Sequence, residues 1–285
     1  MTDFAHQSPQ TRTTWPNASL TPPGSFAILR LFLLISTAIP TSSVPAMLSE
    51  SRFSAPPEVH DFVGLLWDCD GTIIDSTAAI VKYWHKMGKL LGVDPNTILE
   101  TSHGRRSIDV IRIYNPSLAT WDYVSSMEGS VPKEFGHDAV EIPGSRALLD
   151  RLEAAGAPWA IVTSGTRPLL TGWLDRLQLA HPKHHVTAED VVHGKPDPAC
   201  YLLGAEKLQL AKGSPVLVLE DAPAGVRAGK AAGFKVVALA TTHGVDQLKE
   251  AGADWIVADG QSITLRGYDK ESGRISIEIG NAWQG

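Results

Sequence analysis

Cysteine is nearly absent from this chain. The 285 residues include only two cysteines, Cys69 and Cys200. Two are too few for a framework of disulfides, and they fit a reducing compartment, so we expect a cytoplasmic protein. Cys69 lies between two aspartates, where a small residue at a strand end is a simpler interpretation than a redox or nucleophilic role.

A strong net charge and long apolar runs are also lacking. The formal net charge is -6, which gives no electrostatic reason to expect nucleic acid or an anionic membrane as a partner. The apolar stretch 26–39 is interrupted by Arg30 and followed by Pro40, so it is shorter than the roughly 20 residues that a membrane-spanning helix needs. We expect a monomer that binds neither nucleic acid nor membrane.

The first 58 residues lack the periodic hydrophobic pattern of a folded domain. Residues 1–58 are rich in Ser, Thr and Pro. We interpret them as a disordered extension or as the product of an over-long gene model, with Met47 as a possible start. A targeting sequence is the alternative, although Arg12 and Arg30 are the only lysines or arginines before Pro40.

Two aspartates follow a short apolar run in the stretch 68–72, with the sequence DCDGT. The run 63–67 is too short for a helix and is typical of a strand buried on both faces. Carboxylates at i and i+2 leave a strand on the same side, so Asp68 and Asp70 should project together. Such a pair repels unless a cation lies between the two, and Mg²⁺ suits the site. A solvated acidic turn is the alternative.

From residue 140 onward, short apolar runs alternate with stretches of helical periodicity. The runs 159–162, 216–219 and 235–239 are typical of buried strands. Repeated strand–helix units predict an α/β fold with a doubly wound, Rossmann-like parallel sheet. Ligands of such sheets bind at the carboxyl ends of the strands.

This pattern also predicts how the chain divides. Residues 59–76 and 140–285 form the predicted α/β core, and residues 77–139, which show only short helical patterns, form a helical insertion. The alternating segments 263–265 and 275–279 flank a turn and predict a terminal β-hairpin.

Two polar segments lie at or beyond strand ends of this predicted core. Thr163, Ser164 and Gly165 follow the strand 159–162 and offer a hydroxyl and backbone N–H groups to a phosphate oxygen. A helix cap is the alternative. Lys195 precedes Pro196, which favours extended backbone for the lysine, and an ordinary surface lysine is the alternative there.

An acidic pair ends the most hydrophobic strand. Glu220 and Asp221 follow the run 216–219. A buried strand rarely ends in two carboxylates unless a cation meets them, so this pair favours a metal site.

In their order and positions these four segments resemble the motifs of the haloacid dehalogenase-like hydrolases. The resemblance implies that Asp68 is a phosphoryl-accepting nucleophile and Asp70 a general acid/base. It implies that Thr163 holds the phosphoryl group, with help from Ser164 and the Gly165 backbone.

The same resemblance implies the charged residues of the site. Lys195 neutralises charge on the nucleophile and the phosphoryl group. Asp221, with Glu220 beside it or acting through water, completes a Mg²⁺ site formed with the Asp68 carboxylate and the Asp70 carbonyl. Dehalogenases of the superfamily lack the second aspartate and need no metal, so this combination implies phosphoryl transfer.

Longer stretches resemble the fungal glycerol-3-phosphatase and 2-deoxyglucose-6-phosphatase group. These stretches are 102–106 (SHGRR), 163–167 (TSGTR), 220–225 (EDAPAG) and 229–233 (GKAAG). The resemblance makes the insertion a cap over the site. His103, Arg106 and Glu128 of this cap are candidates to contact the non-phosphate end of a substrate, with structural ion pairs or a solvated face as the alternatives.

The resemblance implies a Mg²⁺-dependent phosphatase that hydrolyses a small phosphorylated metabolite through an aspartyl-phosphate. Glycerol 3-phosphate is the first candidate substrate and 2-deoxyglucose 6-phosphate the second. A hexose phosphomutase would share all four motifs but return the phosphoryl group to a sugar instead of to water. A non-catalytic metabolite-binding protein is the alternative of a different class, and the intact set of catalytic side chains argues against it.

Overall fold

A six-stranded parallel sheet lies at the centre of residues 52–285, the part of the chain that the computed structural model describes. The described strands are, in chain order, β1 (Glu58–Phe62), β2 (Gly64–Trp67), β3 (Ile74–Asp75), β4 (Val140–Glu141), β5 (Trp159–Val162), β6 (His184–Val186), β7 (Val216–Glu220), β8 (Lys235–Leu239), β9 (Trp255–Val257), β10 (Ile263–Asp269) and β11 (Arg274–Ile279). The described α-helices are α1 (Thr77–Leu91), α2 (Pro95–Ser102), α3 (Ser107–Tyr114), α4 (Trp121–Glu134), α5 (Ser145–Ala155), α6 (Arg167–Leu177), α7 (Ala199–Lys207), α8 (Pro223–Ala231) and α9 (Val245–Ala251).

The order of strands in the parallel sheet is β6-β5-β2-β7-β8-β9. Alternate residues of the central strands pack on opposite faces: Leu65 and Leu219 belong to one buried cluster, and Leu66 and Val218 to another. Helices cover both faces, as a parallel sheet requires. The predicted doubly wound α/β fold is therefore confirmed.

Strand register decides where the functional side chains emerge. Trp67, the last residue of β2, pairs with Ile161 of β5 and with Leu219 of β7. Because these parallel strands end at nearly the same level, the residues that follow them meet at one edge of the sheet. Asp68, Thr163 and the acidic pair after β7 all belong to this edge.

The segment between residues 77 and 139 forms helices and turns, without a strand. It lies against the carboxyl edge of the sheet. The Arg106 guanidinium donates to the carbonyl oxygens of Val191 and Val192 at 2.8 and 3.0 Å. Gly104 approaches so closely that a Cβ atom there would lie 2.9 Å from the Ala222 Cβ atom.

The predicted C-terminal hairpin is present, as the antiparallel pair β10–β11. A third strand joins it, because β1 pairs antiparallel with β11. Phe53 also bridges Trp283, with ring centroids 5.2 Å apart.

The N-terminal extension was predicted to end at residue 58, whereas β1 begins at Glu58 and Phe53 already bridges Trp283. Residues 52–58 pack on the C-terminal end of the chain, and their partners lie more than 200 residues away, beyond the reach of local sequence patterns. Residues 1–51 lie outside the described residues, and the prediction for them stays a prediction. Among the helices of residues 52–285, none has the length and apolar character to cross a membrane.

Candidate active site

A buried ion cluster joins the end of β2 to the end of β7. Lys195 Nζ donates to Asp68 Oδ1 at 2.5 Å and to Glu220 Oε1 at 2.6 Å. The lysine side chain is only 2% exposed. The Tyr201 hydroxyl donates to the same oxygen of Glu220 at 3.0 Å. Lys195 is thus a buried bridge between two strand ends rather than a surface lysine.

Burial and mutual repulsion perturb the charges of this cluster. Burial raises the pKa of Asp68 to about 7, against the effect of Lys195 and with a further contribution from Glu220. Burial, Glu220 and Asp68 together raise the pKa of Asp221 well above its usual value. Burial alone would lower the pKa of Lys195, but Asp68 and Glu220 outweigh it and raise that pKa. Three carboxylates face one lysine, so the cluster lacks positive charge.

The donor set of the cluster fits a hard divalent cation. One carboxylate oxygen from each of Asp68, Glu220 and Asp221 lies within 4.8 Å of the others. These ligands are all oxygens, as Mg²⁺ prefers. A cation would supply the positive charge that the cluster lacks, so the residues fit the predicted metal.

Glu220 differs from the other two carboxylates in its hydrogen bonds. Its Oε1 accepts from Lys195 and Tyr201, and its Oε2 accepts from the backbone N–H groups of Asp221 and Ala222, both at 2.9 Å. These four bonds occupy the lone pairs of both oxygens. Glu220 therefore contributes negative charge and anchors Lys195, whereas Asp68 and Asp221 keep lone pairs for a cation.

Asp70 occupies a different environment from Asp68. Ser76 Oγ donates to Asp70 Oδ1 at 2.5 Å. Burial raises the pKa of Asp70, although the hydrogen bond from Ser76 acts against that shift. A carboxyl with a raised pKa can hold and release a proton near neutral pH.

Gly71 lets the turn after β2 approach the end of β7. Its φ angle is +90°, and a Cβ atom at this position would collide with the Asp221 carboxylate. The left-handed conformation and the contact both favour glycine. Asp221 also accepts from Thr72 Oγ1 at 3.1 Å and from the Thr242 hydroxyl, so residues from two loops hold it in place.

The predicted phosphate-binding segment lies at the end of β5. Thr163, Ser164 and Gly165 line the same cavity as Asp68 and Asp70. Thr163 Oγ1 accepts from the Gly165 backbone N–H at 2.9 Å, which fixes a tight turn. Ser164 Oγ donates to the Gly104 carbonyl at 2.9 Å and so joins the core to the helical insertion.

The three predicted insertion residues have different surroundings. His103 and Glu128 line the cavity. Glu128 Oε2 accepts from the Thr166 backbone N–H at 2.7 Å, and burial raises the pKa of Glu128 to about 7. Burial lowers the pKa of His103, against the effect of Asp70. Both residues therefore belong to the cavity wall.

Arg106 is not among the residues that line the cavity, and its contacts are those of a structural ion pair, the alternative to a substrate contact. Its Nε and Nη2 donate to the two Asp109 carboxylate oxygens at 2.7 and 3.1 Å. Its remaining donors bind the carbonyl oxygens of Ala188, Val191 and Val192. All five donors of Arg106 are used: two bind Asp109 within the insertion, and three attach the insertion to the core.

The neighbouring arginine, Arg105, lines the cavity instead. Asp109 stands three residues after Arg106 and four after Arg105, and both are spacings of helical ion pairs. The sequence spacing therefore does not distinguish the two arginines.

Other cavity residues carried no motif in the sequence. They are Ser76, Tyr83, Ser107 and Thr242. Ser76 has a recognisable role only once the turn after β2 brings it to Asp70. Thr242 has one only once the loop after β8 meets Asp221 at the end of β7.

Comparisons with known proteins agree with this geometry. A model of the haloacid dehalogenase-like hydrolase family matches residues 63–233. The chain is 41% identical over 220 residues to glycerol-1-phosphate phosphohydrolase 2 of Saccharomyces cerevisiae, a match that covers 74% of this chain and 88% of that protein. It is 34% identical over 234 residues to 2-deoxyglucose-6-phosphate phosphatase 1 of the same yeast, covering 76% and 94%. A crystal structure of a hydrolase from Pseudomonas syringae shares the fold, with a TM-score of 0.60 and 24% identity over 69% of this chain and 94% of that chain.

Proposed function

The chain belongs to the haloacid dehalogenase-like hydrolases, and from its site geometry we propose a Mg²⁺-dependent phosphatase that acts through an aspartyl-phosphate. Its substrates are small polyol or sugar phosphates, with glycerol 3-phosphate first. The single observation that carries this proposal is the buried contact of Lys195 with Asp68. Asp70, two residues after Asp68, supplies a second carboxyl, and its pKa is raised.

In the first step the Asp68 carboxylate attacks the phosphorus atom. An oxygen–phosphorus bond forms as the bond to the ester oxygen breaks. Asp70, which enters this step protonated, gives its proton to the leaving alkoxide. The raised pKa of Asp70 supports this assignment, because an acid catalyst must still hold its proton near the working pH.

In the second step the Asp70 carboxylate removes a proton from water, which attacks the phosphorus of the aspartyl-phosphate. Inorganic phosphate leaves and the Asp68 carboxylate is restored. Lys195 lies against Asp68 throughout and offsets negative charge as it builds up on the phosphoryl oxygens. The hydroxyl of Thr163 and the backbone of Ser164 orient these oxygens.

Asp68 and Asp221, with the carbonyl of Asp70, would hold the cation. When bound, Mg²⁺ supplies a second positive charge beside the transferring phosphoryl group. The buried acidic cluster supports this assignment, since its carboxylates outnumber the one lysine that they contact.

The likeness to the two yeast phosphatases supports small substrates. The higher identity to the glycerol-1-phosphate phosphohydrolase, at similar coverage, favours glycerol phosphate as the substrate. The likeness to the 2-deoxyglucose-6-phosphate phosphatase makes 2-deoxyglucose 6-phosphate the alternative. A phosphomutase remains the mechanistic rival, because it uses the same aspartyl-phosphate chemistry.

A phosphate-release assay tests these assignments. The purified protein is incubated with glycerol 3-phosphate and with 2-deoxyglucose 6-phosphate, with Mg²⁺ and with excess chelator. We expect free phosphate from both esters, a higher kcat/KM for glycerol 3-phosphate, and loss of activity with chelator that added Mg²⁺ restores. Activity that persists in chelator would refute the metal, and an isomerised sugar phosphate without free phosphate would favour a mutase.

A further inference from the structure

The helical wall of the cavity contains buried polar atoms without partners. Tyr83 of α1 and Ser102 of α2 line the cavity and are 1% and 4% exposed. Within residues 52–285, neither the Tyr83 hydroxyl nor Ser102 Oγ has a hydrogen-bond partner. Leaving a buried hydroxyl unpaired costs about 1–3 kcal/mol, so two such groups in one cavity wall need an explanation.

Glu128 of α4 lies in the same wall. It is 4% exposed, and its Oε2 is held by the Thr166 N–H group. Its Oε1 has no hydrogen bond within the described chain. Ser107 lines the same cavity, and no hydrogen bond of standard geometry joins it to Tyr83 or to Glu128. A carboxylate oxygen and two hydroxyls thus face one space.

The charge of this wall determines which end of a phosphate ester it can bind. Glu128 would repel a phosphate dianion, whereas the turn after β5, with Lys195 and the proposed cation beside it, would attract one. The two ends of a substrate are therefore held in one orientation, with the phosphoryl group at Asp68 and the alcohol portion at α1, α2 and α4. Trp84 and Ile80 supply the apolar surface between these polar atoms.

We infer that Tyr83, Ser102 and Glu128 form a subsite for the hydroxyl groups of the substrate alcohol. This inference rests on the proposed phosphatase function and deepens it. Hydroxyl groups of a polyol both donate and accept, so they can satisfy the carboxylate oxygen and the two unpaired hydroxyls together. An ester whose alcohol has no further hydroxyl leaves those buried groups unpaired and binds less well.

The test compares two esters that differ only in their hydroxyls. Glycerol 3-phosphate and n-propyl phosphate have the same carbon chain, and the ratio of their kcat/KM values measures hydroxyl recognition. We expect the wild-type protein to favour glycerol 3-phosphate about 100-fold, since several hydrogen bonds are involved. Tyr83→Phe should lower that ratio about 5-fold, the value of one neutral hydrogen bond.

Matched variants separate recognition from folding. Tyr114→Phe makes the same chemical change in α3, at a partly exposed tyrosine that does not line the cavity, and should leave the ratio unchanged. Ser102→Ala removes the second unpaired hydroxyl and should also lower the ratio, so it tests the subsite even if Tyr83→Phe folds poorly.

The outcomes distinguish the two proposals. No phosphate from either ester would overturn the phosphatase function. Phosphate release with equal rates for both esters, or with a ratio that Tyr83→Phe and Ser102→Ala leave unchanged, would overturn the subsite alone. Faster hydrolysis of ethanolamine phosphate than of glycerol 3-phosphate would also overturn it, because Glu128 would then select an ammonium group.

Discussion

The two walls of the cavity differ in how completely their polar groups are paired. On the sheet side, Asp68 lines the cavity and is held by Lys195 behind it, and Lys195 also contacts Glu220, which accepts four hydrogen bonds. On the helical side, the hydroxyls of Tyr83 and Ser102 have no partner in the described chain. One wall is backed by a fixed network of charges, and the other contains hydroxyls that lack partners.

This difference indicates that the two walls have different roles, catalysis on the sheet side and substrate recognition on the helical side. Catalysis by electrostatic stabilisation requires groups that are already fixed before the substrate arrives. Recognition of a substrate hydroxyl requires groups that have no better partner inside the protein. Variants on the sheet side should therefore change the rate for every ester, and variants on the helical side should change the preference among esters.

The largest expected effect is on the sheet side. Asp68→Asn should lower kcat by at least about 10³-fold on every phosphate ester, because an amide cannot form the aspartyl-phosphate. Its melting temperature should not fall, since the variant relieves repulsion among buried carboxylates and keeps an oxygen for Lys195. Comparable losses of kcat on glycerol 3-phosphate and on p-nitrophenyl phosphate would show that the sheet side acts on every ester. Near-normal phosphate release would refute the assignment of the nucleophile.

Sequence motifs were sufficient for the sheet side because topology fixes where strands end. Residues that follow β2, β5 and β7 must meet at one edge once the sheet is parallel, and the structure brings Asp68, Thr163 and Asp221 to that edge. The motif order therefore carried enough information to predict their proximity.

The helical side could not be predicted to the same degree. The direction of a side chain there depends on where each helix begins and how it packs, which separates Arg105 from its neighbour Arg106. A tyrosine among apolar helix residues, such as Tyr83, gives no sign that its hydroxyl faces a cavity.

The pairing of β1 with β11 could not be predicted from local sequence patterns, because it joins segments about 200 residues apart.

The two adjacent arginines provide the next test. Arg106→Ala removes a buried guanidinium and leaves three carbonyl groups without donors, while Asp109 keeps only its bond from Arg112. This loss should destabilise the protein by about 3–5 kcal/mol. Arg105→Ala should leave the melting temperature unchanged and lower kcat/KM about 10-fold, through loss of a charged contact with the substrate.

Thermal unfolding and steady-state kinetics of both arginine variants check this expectation. The two changes are chemically identical and one residue apart, so each variant is the control for the other. Equal losses of stability in both variants would mean that Arg105 and Arg106 do not differ in role. The assignment of Arg105 to the cavity and of Arg106 to the contact with the core would then be refuted.

The smallest expected effect concerns Glu128 and pH. Burial raises its pKa from 4.5 to about 7, so the folded protein binds a proton more tightly than the unfolded chain does. The contribution of Glu128 is therefore most favourable below about pH 4.5, and stability is lost as pH rises through the window up to about 7. At pH 8 the cost of the charged, buried carboxylate is about 3 kcal/mol.

Glu128→Gln removes this titration and keeps an oxygen that can accept from the Thr166 N–H group. The difference in melting temperature between the variant and the wild-type protein should be near zero at pH 5 and positive at pH 8. Other buried carboxyls titrate in both proteins, so the difference isolates Glu128. A difference that does not change between pH 5 and pH 8 would mean that this carboxylate is already solvated or paired. The buried polar groups of the helical wall would then be as completely paired as those of the sheet wall.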